Sequence, residues 1–194
     1  MASDVTVRSA DVADAAAVAD LHLRAAAAGF AHIFPPEAPS PTLAETVAEW
    51  TVRLGADRPA GWQAWAAQVD GVVVGVLTAG PDPLEPGAGQ LSRLYVDPGF
   101  WGHGVGRRLF EVALDSLGAQ GIQWATLWCI EGNQRARAWY ERMGWQLTGQ
   151  RKPSCERPCG YTPDGVEDVR YRLALVPRRE VSRGAAGQRA AGTG

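Results

Sequence analysis

The stretch Trp101-Gly-His-Gly-Val-Gly-Arg-Arg108 lies between an apolar β-rich run and an amphipathic segment of helical period, and its glycines decide how the rest of the chain is read. Glycines 102, 104 and 106 leave three alternate positions without a Cβ where the chain turns into a helix, so several backbone N–H groups can converge on one anion. A pyrophosphate held in this way gains from charge-assisted hydrogen bonds and from the helix dipole, with Arg107 or Arg108 adding charge and no metal required. A plain tight turn uses the same residues, so the pattern alone leaves both readings open. Two other phosphate motifs fail. The Gly-x-Gly-x-x-Gly spacing of dinucleotide folds needs a third glycine where Arg107 or Leu109 stands, and a Walker loop needs Gly-Lys-Ser/Thr, whereas the chain's one lysine is Lys152.

Working outward, Leu109, Val112, Ala113 and Leu117 share one face of a helix that starts at Val105, while Arg107, Arg108, Glu111 and Asp115 share the other. Upstream, Leu91 to Val96 reads as a strand stopped by Asp97-Pro98. Trp62 to Val69 and Val72 to Ala79, joined by Asp70-Gly71, form a hairpin signal. Before them come a strand at Val5 to Arg8, a helix from Asp11 to Ala28, a proline-rich loop from Phe30 to Pro41 and a helix from Leu43 to Leu54. Downstream, Ile122 to Ile130 is apolar almost throughout, as a strand covered on both faces should be. Asn133 can cap a short helix carrying Ala136, Trp139, Tyr140 and Met143 and ended by Gly144. A strand follows from Trp145, then a loop over 151–168 and a last strand from Val169 to Leu175. The order β-α-α-β-β-β-α-β-α-β-β predicts an α/β fold with a mixed sheet, its first half antiparallel and its second half joined by helical crossovers.

Composition narrows the function. With 194 residues and 46% hydrophobic content, the chain suits one buried domain, expected over 1–176, with 177–194 as a disordered tail. A net charge of -2 leaves little room for a nucleic-acid or anionic-membrane face, and no run approaches the ~20 apolar residues that span a bilayer. The N-terminus has no signal-peptide layout, so a cytoplasmic protein is expected. The three cysteines, Cys129, Cys155 and Cys159, cannot close a disulfide framework, and the two thiols of Cys155-x-x-x-Cys159 with no histidine after them do not make a zinc site. No metal is expected.

Leu91-x-x-Leu94-Tyr-Val96-Asp-Pro98, then Trp101 to Leu109, then Glu131-Gly-Asn133-x-x-Ala136-x-x-Trp139-Tyr140-Glu-Arg-x-Gly144-Trp145, together resemble the GNAT superfamily of N-acetyltransferases. The resemblance is densest over 90–146 and implies the GNAT fold, with acetyl-CoA as co-substrate. It implies that Leu94, Tyr95 and Val96 splay from the next strand and bond the pantetheine, with the Val96 N–H facing the thioester oxygen. Trp101, Gly102, His103, Gly104, Val105, Gly106 and Arg107 would hold the pyrophosphate, Asn133 would touch the cofactor, and Tyr140 would be both a cofactor contact and the general acid at the thioester sulfur. An amine would attack directly in a ternary complex, without a covalent acyl-enzyme; a Cys129 nucleophile is disfavoured because a buried strand thiol has a raised pKa. The acceptor would be a small amine or a protein amino group, recognised by Phe30, Phe34, Trp50 and the 151–168 loop, and a homodimer accords with the resemblance.

The chain also departs from the family. Trp101 stands where relatives usually carry Gln or Arg, and Gln90 and Trp128 stand where relatives place a glutamate base. Deprotonation then falls to ordered water, His32, Glu37 or Glu131. The missing glutamate also motivates a second reading, a non-catalytic acyl-CoA-binding module.

Overall fold

The computed structural model describes residues 4–34, 37–154 and 165–175. Seven strands form one sheet in the order β1-β2-β3-β4-β5-β7-β6. They are β1 (Thr6–Ser9), β2 (Gln63–Val69), β3 (Val72–Pro81), β4 (Gly89–Val96), β5 (Trp124–Ile130), β6 (Gln146–Pro153) and β7 (Glu167–Ala174). The helices are α1 (Ala15–Phe30), α2 (Leu43–Leu54), α3 (Val105–Ala119) and α4 (Gln134–Arg142), with short 3-10 turns before α1 and after β4. The order of strands and helices matches the expected one.

Each face of the sheet has its own core. On one, α1 and α2 bury Val18, Leu21 and Trp50 against Ala64, Ala66 and Val76; on the other, α3 and α4 pack Val105, Leu109, Phe110 and Tyr140 against Leu77, Leu91, Leu127 and Tyr171. Local signals start the elements where the sequence places them. The side-chain oxygen of Thr42 accepts from Glu45 N–H while the Glu45 carboxylate accepts from Thr42 N–H, a reciprocal cap on α2. Asp70 and Gly71 both adopt positive φ (50° and 79°), as a type I′ hairpin turn demands.

Some boundaries differ. The helix α1 runs through Phe30 before the loop begins, and β6 and β7 take in Arg151–Pro153 and Glu167–Asp168, residues expected in a loop. Strand β6 lies at the sheet edge, with most of its residues exposed. Edge pairing is carried by backbone hydrogen bonds, so such a strand leaves little apolar alternation in its sequence. Cys155, Cys159 and the 177–194 tail lie outside the described residues.

The feature that shapes the site is in β4. Its parallel pairing with β5 stops at Leu91↔Leu127, while its antiparallel pairing with β3 continues to Val96 through a bulge at which Arg93 adopts φ 55°. The bulge bends the strand, and β4 and β5 part beyond it.

Candidate active site

The parted strands leave backbone groups on the β5 side of β4. Asp97 N–H reaches Val74 O at 2.9 Å, and antiparallel residues alternate edges, so the N–H and C=O of Val96 face away from β3 toward the gap. The C=O is taken by the Trp101 indole N–H at 2.8 Å. Trp101 thus ties the loop to the end of β4, and the Arg135 guanidinium lies over its ring, with Cζ 3.8 Å from the centroid. Helix α4 thus adds a positive charge beside the loop.

Gly102 and Gly104 both turn through φ 83°, a left-handed backbone that suits glycine, and a Cβ at either would meet nothing within 4 Å. The loop leads into α3, whose first intrahelical bond is Arg108 N–H to Gly104 O, so the N–H groups of Val105, Gly106 and Arg107 are left for an external acceptor. Gly106 differs from the expectation that all three glycines turn the chain. It lies inside α3, and a Cβ there would touch the Trp139 ring at 3.5 Å and Val96 at 3.7 Å. His103 is exposed and its ring sits against Phe100 and Trp101 O, whereas Trp101, Gly102, Gly104, Val105, Gly106 and Arg107 line the cleft with Arg135 and Arg142. A backbone cradle rimmed by arginines fits a pyrophosphate.

At the other end of the gap Asn133 caps α4, its side-chain oxygen accepting from Ala136 N–H at 3.1 Å, and also lines the cleft. Two turns further, Tyr140 stacks with Phe110 at 5.9 Å and borders the cleft beside Cys129. Burial pushes the Tyr140 phenol far above its ordinary value, so it stays protonated at any working pH. Burial, reinforced by the charge of Asp168, likewise pushes the Cys129 thiol up to about 12, which removes it as a nucleophile.

The gap opens into a cleft of about 1440 Å³ whose lining also includes Phe30, Phe34, Gln90, Trp128, Lys152 and Asp168. Trp50 is not part of it. It is fully buried between α1 and α2, where its indole N–H donates to His22 Nδ1 at 3.2 Å, so the expected substrate contact is a core residue. That bond leaves the proton of a neutral His22 on Nε2 and no lone pair for use as a base. His22 in turn stacks on Tyr95, 4.0 Å between centroids. His32 lines the cleft with its Nε2 3.2 Å from Gly132 O. Glu131 faces a separate shallow pocket and is bound by Arg151, whose hydrogen bond holds its carboxyl below the usual range. Glu37 is exposed and outside the cleft lining. Among the described residues no group of three or more His, Cys, Asp or Glu gathers as a metal site.

The sequence profile described as the Acetyltransferase (GNAT) family matches residues 27–145, more than half of the chain. The chain belongs to the GNAT acetyltransferase family. A Mycobacterium tuberculosis protein named "Probable N-acetyltransferase" is 36% identical over 90 residues, 46% of this chain and 50% of that one. The chain's match thus spans half the length of that curated relative. The PaiA N-acetyltransferase of Thermoplasma acidophilum, solved in complex with coenzyme A, superposes with a TM-score of 0.66 at 16% identity over 88% of this chain and 99% of that one. An acetyltransferase of Salmonella typhimurium, solved with acetyl-CoA, gives 0.63 at 20% identity over 97% and 100%. Both likenesses establish the fold.

Two residues that line the cleft of this GNAT domain, Lys152 and Asp168, are hidden in the sequence because both fall inside 151–168. Lys152 places its ammonium 4.5 Å from the Trp128 ring centroid, and Asp168 lies opposite Lys152 in the β6–β7 register. The readable signal is the alternation Asp168, Arg170, Arg172 against Val169, Tyr171, Leu173, which extends the last strand backward by one residue.

Proposed function

We propose that this GNAT domain transfers the acetyl group of acetyl-CoA to a primary amine by direct attack within a ternary complex, in the cytoplasm. The observation that carries the reading is the β4–β5 gap, open at one end on the glycine-rich start of α3 and bordered at the other by a protonated, buried Tyr140. The pyrophosphate would rest on the N–H groups preceding Arg108, with Arg107 and Arg135 adding charge. The Val96 N–H would stabilise charge developing on the thioester oxygen, a contribution worth about 10²–10³ in rate for one such donor. Tyr140 would donate to the departing sulfur. A phenol is a weaker acid than a thiol, so the proton moves only as charge builds on sulfur and as the new ammonium sheds its own. Phe30 and Phe34, in edge-to-face contact at 6.0 Å, would flank a small amine or a protein amino group.

The test is turnover. Acetyl-CoA is mixed with a panel of small amines and short peptides, and release of the CoA thiol is compared with acetylated product by mass spectrometry. Equal amounts, with no acetyl adduct on Cys129 before the acceptor is added, support the reading. Tight acetyl-CoA binding without turnover on any amine favours a non-catalytic acyl-CoA-binding module, the alternative that Gln90 and Trp128 recommend.

A further inference from the structure

Gln90 and Trp128 both line the cleft, and neither side chain can accept a proton usefully. Among the described residues that line it there is one carboxylate, Asp168. It is 6% exposed and sits at the start of β7, directly across from Ile130 on β5 and from Lys152 on β6. Trp128 and Arg170 pair two residues along, so on the alternating faces of the sheet the carboxylate and the tryptophan share one face. Its charge is felt at Cys129 on β5, another residue of the cleft lining. Lys152 on β6 and Arg170 on its own strand are its charged neighbours in the sheet, and the cleft lining also holds Cys129, His22, His32, Arg93, Tyr95, Arg107, Arg135, Tyr140 and Arg142. Arg170 is committed elsewhere, to Asp82 and Glu85.

We infer that Asp168 takes the proton of the acceptor's ammonium, on the footing of the acetyl transfer proposed above. The acceptor enters as an ammonium ion and gives one proton to the Asp168 carboxylate, directly or through a water molecule, and Asp168 later releases it to solvent. The neutral nitrogen attacks the thioester carbon, the C–N bond forms and the C–S bond breaks. A second proton leaves that nitrogen and balances the one that Tyr140 gives to sulfur. A carboxylate is a weak base, so this arrangement serves best the amines of lowest pKa, such as α-amino groups near 8, over lysine ε-amines near 10.4.

The role has a pH signature that a structural role lacks. Asp168→Asn keeps the shape but can use only acceptor that arrives neutral, a fraction of about 3% at pH 6.5 and about 90% at pH 9 for an amine titrating near 8. The experiment measures kcat/KM from pH 6.5 to 9 for wild type, Asp168→Asn and Asp168→Glu, using the fastest short peptide or small amine of pKa near 8 from the panel. Thermal melting and acetyl-CoA affinity are recorded for each. The expected result is a loss of at least tenfold for Asp168→Asn at pH 6.5 that closes to within about threefold at pH 9, with Asp168→Glu keeping the wild-type profile. A pH-independent loss, or none, overturns the assignment while leaving acetyl transfer standing. A wild type that binds acetyl-CoA and acetylates nothing overturns both.

Discussion

Replacing Gly104 by Asp and, separately, by Asn isolates the anion-binding role of the loop from its folding role. Gly104 is the residue before α3 and holds φ 83° and ψ -3°. Asn and Asp are the side chains that best tolerate this backbone, at a cost of about 1–2 kcal/mol, or a melting shift of roughly 2–4 °C per kcal/mol at this chain length. No atom lies within 4 Å of a Cβ placed there, so neither substitution adds a clash. An aspartate at a helix N-terminus is favourable by about 0.3–1 kcal/mol, so Gly104→Asp should melt no lower than Gly104→Asn. Binding should run the other way. A carboxylate about 5 Å from a phosphate at an effective dielectric of about 20 costs roughly 3 kcal/mol, which is a Kd about 100-fold weaker. Titration calorimetry with CoA at low and high salt reads the difference, which should shrink as salt screens it. Equal affinities for the Asp and Asn variants, or wild-type affinity in the Asp variant, would refute the phosphate assignment.

Tyr140→Phe should lower kcat by about 100-fold while leaving the acetyl-CoA Kd within about twofold, and unchanged turnover would remove Tyr140 from the chemistry. Arg170→Ala strands the buried Asp82 carboxylate, which the Thr126 hydroxyl also contacts, and should cost about 3–5 kcal/mol, seen as a melting temperature lower by about 6–20 °C. A shift under about 3 °C would contradict a buried ion pair. The Cys129 thiol is pushed up to about 12, so its thiolate form is negligible at pH 8 and appears only as the pH nears that value. Iodoacetamide at pH 8, mapped by peptide mass spectrometry, should therefore leave Cys129 unmodified in the folded protein and alkylate it in urea; fast labelling of the folded form would contradict this.

The residues proposed to hold the donor were legible as a group because that proposal rests on backbone conformation and short-range spacing. Glycines ahead of a helix, a capping Asn133 and a tyrosine two turns on are all local patterns. The bulge at Arg93 that opens the gap was not legible, since a positive φ at an arginine is imposed by tertiary packing. Trp50 was misplaced for a related reason: an aromatic on an amphipathic helix fits a core or a substrate wall equally well, and only packing against His22 decides. Asp168 and Lys152 were hidden by their polar surroundings, because strand pairing at a sheet edge does not require apolar residues.

The measurement that bears most directly on the central claim is a crystal structure with bound CoA. The account predicts pyrophosphate oxygens within about 3.2 Å of N–H groups in the turn from Gly104 to Arg107, a hydrogen-bond distance. It further predicts pantetheine between Leu94–Val96 and Leu127–Ile130, with its sulfur at the Tyr140 hydroxyl. Density for CoA away from the β4–β5 gap, or a pyrophosphate with no contact to the start of α3, would contradict it.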